Sequence, residues 1–416
     1  MRKSRFSTPR FTRPVARFLA LESASGLLLL VATVLALIWA NSPLKDGYNS
    51  FLGHHIAVNA GPIDLQFDVQ EFVNDALMAV FFFVVGLEIK RELVKGELRD
   101  RRTAALPVIA AIGGMVVPAL LYVAINAGSS TVHGWGIPMA TDIAFAVGVV
   151  ALLGNRVPVA LKLFLLSLAV VDDLGAIAVI AIFYTSSIAF GWLMSAAGAF
   201  VLIAGLRLLR VPSMIPYLLL GVVAWYCMFK SGVHATVAGV ALGFLIPIVP
   251  MRGQEGRPSM ADRLENALHP WSAYVIIPIF ALCNAGVILT IDALKDAASS
   301  QVTWGVALGL VVGKTVGVAA TSLLAVKFGL VNRPRGVSNL HMVGIAMAAG
   351  VGFTVALFVT NLAFTDAGSA DQSRIGILGA SLVAALAAVA VLRLASARSS
   401  TDELMLEAAE NAELFD

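Results

Sequence analysis

Two adjacent aspartates, Asp172 and Asp173, lie inside a long apolar stretch, AVVDDLGAIAVIAI (169–182), with no Lys or Arg nearby in sequence. An ionised carboxylate in apolar surroundings is costly unless it is paired or neutralised. Two such groups placed side by side in an apolar stretch therefore indicate a function. The chemistry they suggest is the uptake and release of protons or of a small cation.

Two further charges interrupt apolar stretches of the chain. Asp142 lies in ATDIAFAVG (140–148) and Lys314 in VVGKTVG (311–317). With Asp172 and Asp173 they sum to a charge of −2 if all are ionised. A buried site of that charge must take up protons or a cation. Charged residues inside a membrane are costly, so their presence indicates a functional site. If protons and a cation compete for a site that alternates between two membrane faces, the result is obligatory exchange.

Neighbouring residues point about 100° apart on a helix. One aspartate of the pair can then meet Lys314 while the other faces a water-filled funnel. Oxygen ligands favour a hard ion such as Na⁺ or Li⁺. Asp173, Thr141 and freed backbone carbonyls are the predicted ligands. Two carboxylates that release protons against one monovalent ion would make the exchange electrogenic.

Three other functions fit the sequence less well than exchange does. An intramembrane aspartyl protease needs two aspartates on separate helices, usually with a Gly-x-Gly-Asp motif, which this sequence lacks. A cation channel has no need of proton-binding carboxylates with a lysine at mid-depth. A regulatory or scaffold membrane protein does not explain the excess of buried negative charge. The sequence predicts no enzyme, no cofactor and no nucleic-acid partner.

The composition is that of a multi-pass membrane protein. Of 416 residues, 59% are hydrophobic and only 13% are charged, against about 25% charged in soluble domains. A span needs about 20 mostly apolar residues. Reading at that scale predicts an all-α membrane protein with twelve transmembrane helices, the first of them uncleaved. The predicted spans are 17–40, 72–90, 104–126, 135–153, 158–184, 190–206, 214–229, 232–249, 268–290, 303–326, 340–363 and 375–395.

The distribution of basic residues orients these spans. With a cytoplasmic N-terminus, 24 of the 29 Lys and Arg fall on the inner side, four fall outside, and Lys314 is mid-span. This bias obeys the positive-inside rule and places both termini in the cytoplasm. The predicted domain limits are a basic N-terminal extension (1–16), the twelve-helix domain (17–395) and an acidic tail (396–416).

Glycine and proline interrupt the fourth and eleventh spans, GWGIPMATDIAFAVGVV (134–150) and VGIAMAAGVGFTVALFV (343–359). Such a pair of broken helices points to a transporter's binding site. Spans 3–5 and 10–12 are seven crossings apart, so the two triplets run in opposite directions, as an inverted repeat requires. At breaks in mid-membrane, Asp142 can neutralise the positive half-helix ends and Lys314 the negative ends.

An outer loop has a period-two pattern. In GPIDLQFDVQ (61–70), apolar and polar residues alternate as in a strand. HIAVNAG (55–61) supplies a partner, which predicts a short hairpin over about 54–70. Two strands alone are marginally stable, so a partner subunit is expected to cover them.

Long stretches of the chain closely resemble the NhaA-type bacterial sodium/proton antiporters, from about residue 15 to 395. The stretches that carry the resemblance are NDALMAVFFFVVGLEIKREL (74–93), PVIAAIGGMVVPALLY (107–122), ATDIAFAVGVVALLG (140–154), VVDDLGAIAVIAIFY (170–184), KSGVHATVAGVALGFLIP (230–247), RLENALHPW (263–271) and GIAMAAGVGFT (344–354).

The resemblance implies an electrogenic, pH-regulated exchanger of Na⁺ or Li⁺ for H⁺ in the bacterial inner membrane, with a role in sodium and pH homeostasis. It implies that Asp173 is the main cation ligand, that Asp172 is the proton-linked neighbour pairing with Lys314, and that the hairpin makes a homodimer. The motif also carries over Thr141 and Asp142. The implied pH-sensing positions are Glu88, Glu92, His234, Glu265 and His269.

The sequence departs from the family's pattern at two positions. Asn266 stands where the well-known form of the motif has a second histidine, and Thr315 stands where proline is expected after Lys314.

Overall fold

The computed structural model describes residues 12–60, 63–185, 188–249, 258–334 and 336–413. Almost all of this part of the chain is helical, and its one sheet has two strands. Seven of the described helices are long and apolar enough to cross a membrane, or up to ten spans if each bent pair is counted as one. Apolar side chains face outward on them, as contact with lipid requires; Val201, for example, is 70% exposed.

The helices follow the apolar stretches of the sequence. Those of the first half are α1 (Thr12–Ala40), α2 (Lys45–Leu52), α3 (Val69–Val94), α4 (Arg101–Ile125), α5 (Ile143–Ala151), α6 (Val159–Phe183) and α7 (Phe190–Leu208). Those of the second half are α8 (Ile215–Ser231), α9 (Thr236–Leu245), α10 (Met260–Asn284), α11 (Ile291–Ser299), α12 (Gln301–Lys327), α13 (Asn339–Ala349), α14 (Phe353–Ala363) and α15 (Ala367–Glu413).

Three long helices contain a π-helical turn, and one span begins as a 3₁₀ helix. The π turns are Val73–Leu77 in α3, Ser272–Ile276 in α10 and Gly309–Gly313 in α12. The 3₁₀ helix, Ser130–Met139, precedes α5. Such departures from regular α-helix concentrate at functional sites.

The predicted hairpin is present. Strands β1 (His55–Ala60) and β2 (Ile63–Asp68) pair antiparallel, with Ile56 opposite Phe67. Phe67 is 4% exposed and packs against α8, with its ring centroid 4.9 Å from that of Phe229. Phe67 therefore anchors the hairpin to the rest of its own chain.

Both interrupted spans are broken where glycine and proline predicted. The 3₁₀ helix and α5 bend by 44° at their junction, and α13 and α14 bend by the same 44°. The backbone N–H of Asp142 donates to the Val351 carbonyl over 2.7 Å. The two breaks therefore touch, and four half-helix ends meet in the interior.

Some predicted helix bounds were wrong. The ninth span was predicted over 268–290, but α10 runs from Met260 to Asn284. A capping box at Ser259 starts it early, and its charged first turns face the end of α3, so hydropathy alone missed them. The predicted seventh and eighth spans fall on the shorter helices α8 and α9. The last helix passes the predicted limit at 395 and continues to Glu413. The first begins at Thr12, and residues 1–11 lie outside the described part.

Glycine lets two helix pairs approach closely enough to hold the site. A Cβ at Gly239 of α9 would overlap the Ala79 carbonyl oxygen of α3. A Cβ at Gly317 of α12 would overlap the Gly113 carbonyl oxygen of α4. Small residues permit this backbone contact between membrane helices. The first pairing fixes a wall of the cavity described below, and the second fixes the helix that carries Lys314.

Candidate cation site

Asp142 caps two helices at once. Its Oδ1 accepts a hydrogen bond from the Phe145 N–H (2.9 Å), which begins α5. Its Oδ2 accepts from both the N–H (2.9 Å) and the hydroxyl (2.7 Å) of Thr354, at the start of α14. The carboxylate thus lies at both positive half-helix ends, where a negative charge is stabilised.

Lys314 lies at the opposite, negative ends. Its Nζ is 2.6 Å from Asp172 Oδ2 and also donates to the Met139 carbonyl, at the end of the 3₁₀ helix. The side chains of Lys314 and Asp172 are both fully buried. A buried ion pair is tolerated only when such additional hydrogen bonds satisfy it.

Thr141 links Asp172 to the second break. Its hydroxyl lies 2.7 Å from Asp172 Oδ2 and 2.9 Å from the Ala349 carbonyl oxygen, where α13 ends. The structure therefore brings Thr141, Asp172 and Lys314 together as one buried polar cluster. In this arrangement the hydroxyl of Thr141 is directed to Asp172 and Ala349.

Asp173 faces away from this cluster. Its side chain lines an internal cavity of about 50 Å³. Asp173 is 4% exposed, and its Oδ1 has no hydrogen-bond partner within the described residues. The two adjacent aspartates therefore have different surroundings, one in an ion pair and one at a cavity. The cavity is walled by α3, α10, α14 and the break before α5, through Phe81, Val84, Val85, Glu88, Thr141, Asp142, Ile143, Ala144, His269, Ser272, Ala273, Ile277, Thr354 and Val355.

Four of the five predicted pH-sensing residues lie together where α3 and α10 meet. His269 Nε2 is 3.3 Å from Glu88 Oε1, and both residues line the cavity. Arg91 forms an ion pair with Glu265, and its Nη2 is 3.6 Å from Glu92 Oε1. This group of charged residues is called the inner charged cluster below. It lies beside the cavity, at the C-terminal end of α3.

The fifth, His234, is not part of that cluster. It lies in the connection between α8 and α9, with its Nε2 2.6 Å from the Tyr184 carbonyl oxygen after α6. Burial lowers the pKa of His234 below its ordinary value of 6.5. On the predicted topology, Tyr184 and His234 are at the outer face, whereas α3 ends at the inner face.

Both departures from the family's pattern are accounted for locally. Asn266 is exposed, and its side-chain amide donates to the Asp262 carbonyl (2.6 Å). The Thr315 hydroxyl donates to the Val311 carbonyl (2.6 Å) within α12, next to the π turn.

Sequence reasoning gave no role to two residues of the cavity wall. Thr354 belongs to the broken-helix motif, but nothing in the sequence pairs it with Asp142. Ser272 stands in an unremarkable helical stretch. Within the described residues, no group of three or more His, Cys, Asp or Glu side chains could hold a metal ion.

Comparison with known proteins gives a consistent result over nearly the whole chain. The family described as "Na+/H+ antiporter 1" matches residues 16–392. The Na⁺/H⁺ antiporter NhaA 2 of Erythrobacter litoralis is 48% identical over 391 residues, covering 93% of this chain and 96% of that protein. NhaA of Shewanella frigidimarina is 48% identical over 377 residues, covering 90% and 94%. NhaA 1 of Pseudomonas putida is 48% identical over 387 residues, covering 92% and 96%.

Proposed function

Because this chain belongs to the Na⁺/H⁺ antiporter 1 family, we propose that it is an electrogenic exchanger of cytoplasmic Na⁺ or Li⁺ for external protons. Its relatives over 90% or more of the chain are named Na⁺/H⁺ antiporters. The substrates are ions, and the protein is a multi-pass membrane protein.

One observation carries the assignment of the site. Asp173 lines the cavity and has a carboxylate oxygen with no hydrogen-bond partner in the described residues. A carboxylate in that position needs a counter-charge, and either a proton or a small cation supplies it. The two ligands exclude each other because both neutralise the same group. Coupling then follows from competition at a single site.

The Asp172–Lys314 pair supplies the second proton of the proposed exchange. Asp172 shares one oxygen between Lys314 and Thr141, and its Oδ1 has no partner within the described residues. A cation bound at Asp173 favours the ionised form of its neighbour, and cation release favours protonation of both. Two protons exchanged for one monovalent cation move net charge, so transport responds to membrane potential.

We propose that alternating access depends on the crossed breaks. Four half-helix ends meet there, and Asp142 and Lys314 neutralise them. We assign twelve spans, with an inverted repeat of spans 3–5 and 10–12. The matched 44° bends support the repeat. The Lys and Arg distribution supports an inner-membrane protein with both termini in the cytoplasm.

Regulation by pH is assigned first to the inner charged cluster. The Glu88–His269 contact joins it to the cavity, so protonation there changes the field at the entrance to Asp173. His234 is assigned as a separate candidate at the outer face. A homodimer is assigned to the hairpin, whose two strands leave edges on which a second copy can pair.

The test measures collapse of a proton gradient in everted vesicles that lack other antiporters, on addition of Na⁺, Li⁺ or K⁺. Wild-type protein is expected to respond to Na⁺ and Li⁺ but not to K⁺. Asp173→Asn is expected to abolish the response while the purified variant remains folded in detergent. Exchange at the wild-type rate by Asp173→Asn would reject the site. The absence of any response from wild-type protein across the neutral and alkaline range would reject the function.

A further inference from the structure

Ser272 is the first residue of the π turn in α10 and lines the same cavity as Asp173. Ser272 is 4% exposed. Its backbone is already paired, since its N–H donates to the Leu268 and His269 carbonyls and its carbonyl accepts from Ile277. Its hydroxyl has no hydrogen-bond partner among the described residues, and the residue lines the cavity. The Ser272 side chain therefore lies at the cavity and holds no other part of the described structure in place.

The other hydroxyl and carboxylate groups that line the cavity already have partners. The Thr354 hydroxyl donates to Asp142, whose two oxygens accept from Phe145 and Thr354. The Thr141 hydroxyl contacts Asp172 and the Ala349 carbonyl. Glu88 faces His269. Asp173 Oδ1 and the Ser272 hydroxyl therefore remain as side-chain oxygens free to face a guest in the cavity.

We propose that the Ser272 hydroxyl is a ligand of the transported cation, the neutral partner of the Asp173 carboxylate. This inference rests on the proposed function. A small hard cation that enters a cavity of about 50 Å³ must exchange much of its water for protein oxygens. A hydroxyl oxygen is such a ligand and adds no charge, so it strengthens cation binding without binding a competing proton.

The π turn supports this role. One extra residue in the turn shifts the following side chains relative to the helix that precedes it. Ser272, at the start of the turn, and Ala273 both line the cavity, and so does Ile277 just beyond it. Ala273 and Ile277 offer no side-chain oxygen, so Ser272 is the residue through which α10 contributes one at this depth. His269, one turn earlier in α10, belongs to the inner charged cluster.

The experiment compares Ser272→Ala, Ser272→Cys and Ser272→Thr with wild-type protein. Alanine removes the oxygen, cysteine replaces it with a soft sulfur of similar shape, and threonine retains it. Ser381→Ala is the matched control, since Ser381 is also buried and has no hydroxyl partner in the described residues, but it lies on α15 and not at the cavity. The readouts are the KM for Na⁺ and Li⁺ in everted vesicles, and the Na⁺-dependent rise in unfolding temperature of purified protein.

Loss of one good ligand is expected to raise the Na⁺ KM about five- to tenfold in the alanine and cysteine variants. The maximal rate is expected to stay within about twofold, because Asp172 and Asp173 still bind protons. Threonine and the Ser381→Ala control are expected to retain a KM near wild type. The Na⁺-dependent thermal shift should weaken in parallel, with the cation-free unfolding temperature unchanged.

The outcomes separate this inference from the proposed function. If wild-type protein exchanges Na⁺ and both Ser272→Ala and Ser272→Cys keep the wild-type KM, the ligand role is wrong and the function stands. A KM raised equally in Ser272→Thr also overturns it, because the hydroxyl is then not the cause. If wild-type protein shows neither exchange nor a Na⁺-dependent thermal shift, the proposed function fails and the ligand role fails with it.

Discussion

At the scale of single residues, the division of labour among the buried charges follows from hydrogen bonding. Asp142 and Lys314 serve the helix ends, Asp172 is held by Lys314 and Thr141, and Asp173 has an oxygen left over. Buried polar groups normally have partners. Within the described residues Asp172 Oδ1 also lacks a partner, but of the two aspartates Asp173 is the one that lines the cavity, and this is why Asp173 is the centre of the proposed site.

Asp142→Asn is expected to destabilise the protein even though asparagine is itself a good helix cap. An amide has one oxygen, whereas Asp142 uses two, one for α5 and one for α14. The amide NH₂ would face N–H donors at one helix start. We expect a loss of about 1–3 kcal/mol, as for an unsatisfied buried group. The measurement is the thermal unfolding midpoint in detergent.

The matched control for that substitution is Asp100→Asn. Asp100 caps α4 from an exposed position, and only one of its oxygens accepts a backbone N–H, that of Arg102. Asparagine can supply that oxygen, so the midpoint should hardly change. Equal effects of the two substitutions would mean that the double cap at Asp142 has no special energetic weight.

The residues of the site could be predicted from the sequence only in part. Charges inside apolar stretches are conspicuous, and Asp142, Asp172, Asp173 and Lys314 were selected for that reason. Ser272 and Thr354 carry no such signal, because serine and threonine are unexceptional in helices. Their placement depends on contacts between α10, α14 and the breaks, which lie far apart in sequence. The cavity is formed by these same contacts, so the sequence alone could not predict it.

At the scale of helices and strands, local signals predicted local features. Glycine and proline marked both breaks, and alternation marked the hairpin, because each depends on residues within one short segment. Helix ends were predicted less well. The start of α10 is polar and is held by ion pairs with α3, such as Lys95 to Asp262 (2.8 Å). A hydropathy window excludes residues of that kind, so the helix was placed too late.

Close helix contact at glycine gives a prediction about α3 and α9. Gly239→Ala places a methyl group against the Ala79 carbonyl, a backbone atom that cannot move aside. The two helices must separate, and the cavity wall formed by α3 shifts with them. We expect a stability loss of about 1–3 kcal/mol or more, together with reduced exchange. Thermal unfolding in detergent and vesicle exchange report the two effects.

Gly198→Ala on α7 is the control for this prediction. No atom lies within 4 Å of a Cβ added there. Alanine favours helix over glycine by about 0.5–1 kcal/mol, so this change should be neutral or slightly stabilising. If Gly239→Ala behaved like Gly198→Ala, close approach of α3 and α9 would not be needed for the fold.

At the scale of the whole molecule, the two ends of the cavity-lining helices α3 and α10 are held together by different kinds of contact. At the end that carries the inner charged cluster, ion pairs join α10 to α3 and to the residue that follows α3, Arg91 to Glu265 and Lys95 to Asp262. At the other end they are tied by amides, with Asn284 of α10 donating to Asn74 Oδ1 (2.9 Å). The strength of an ion pair depends on pH and salt, whereas that of a hydrogen bond between amides does not. This asymmetry is why regulation by pH is assigned to the inner charged cluster.

The hairpin gives the prediction that concerns assembly. Its anchor is Phe67, which packs on Phe229 of α8, while no third strand pairs with β1 or β2 within the described residues. Replacing residues 57–66 with Asn-Gly would join the paired positions Ile56 and Phe67 through a two-residue turn. This shortens the pairing edge but keeps the aromatic anchor. We expect weaker dimers in detergent, measured by light scattering, with exchange retained in vesicles.

A second variant separates loss of the strands from disturbance of the tip. Replacing only Gly61–Pro62 with Asn-Gly keeps both strands at full length, so its dimer should match wild type. The dimer depends on strand edges if only the shortened hairpin dissociates, since a two-stranded sheet gains stability from further strands. An unchanged dimer in the shortened variant would remove the hairpin from assembly. Loss of exchange in it would instead tie the hairpin to the transport cycle through α3, the helix that directly follows β2.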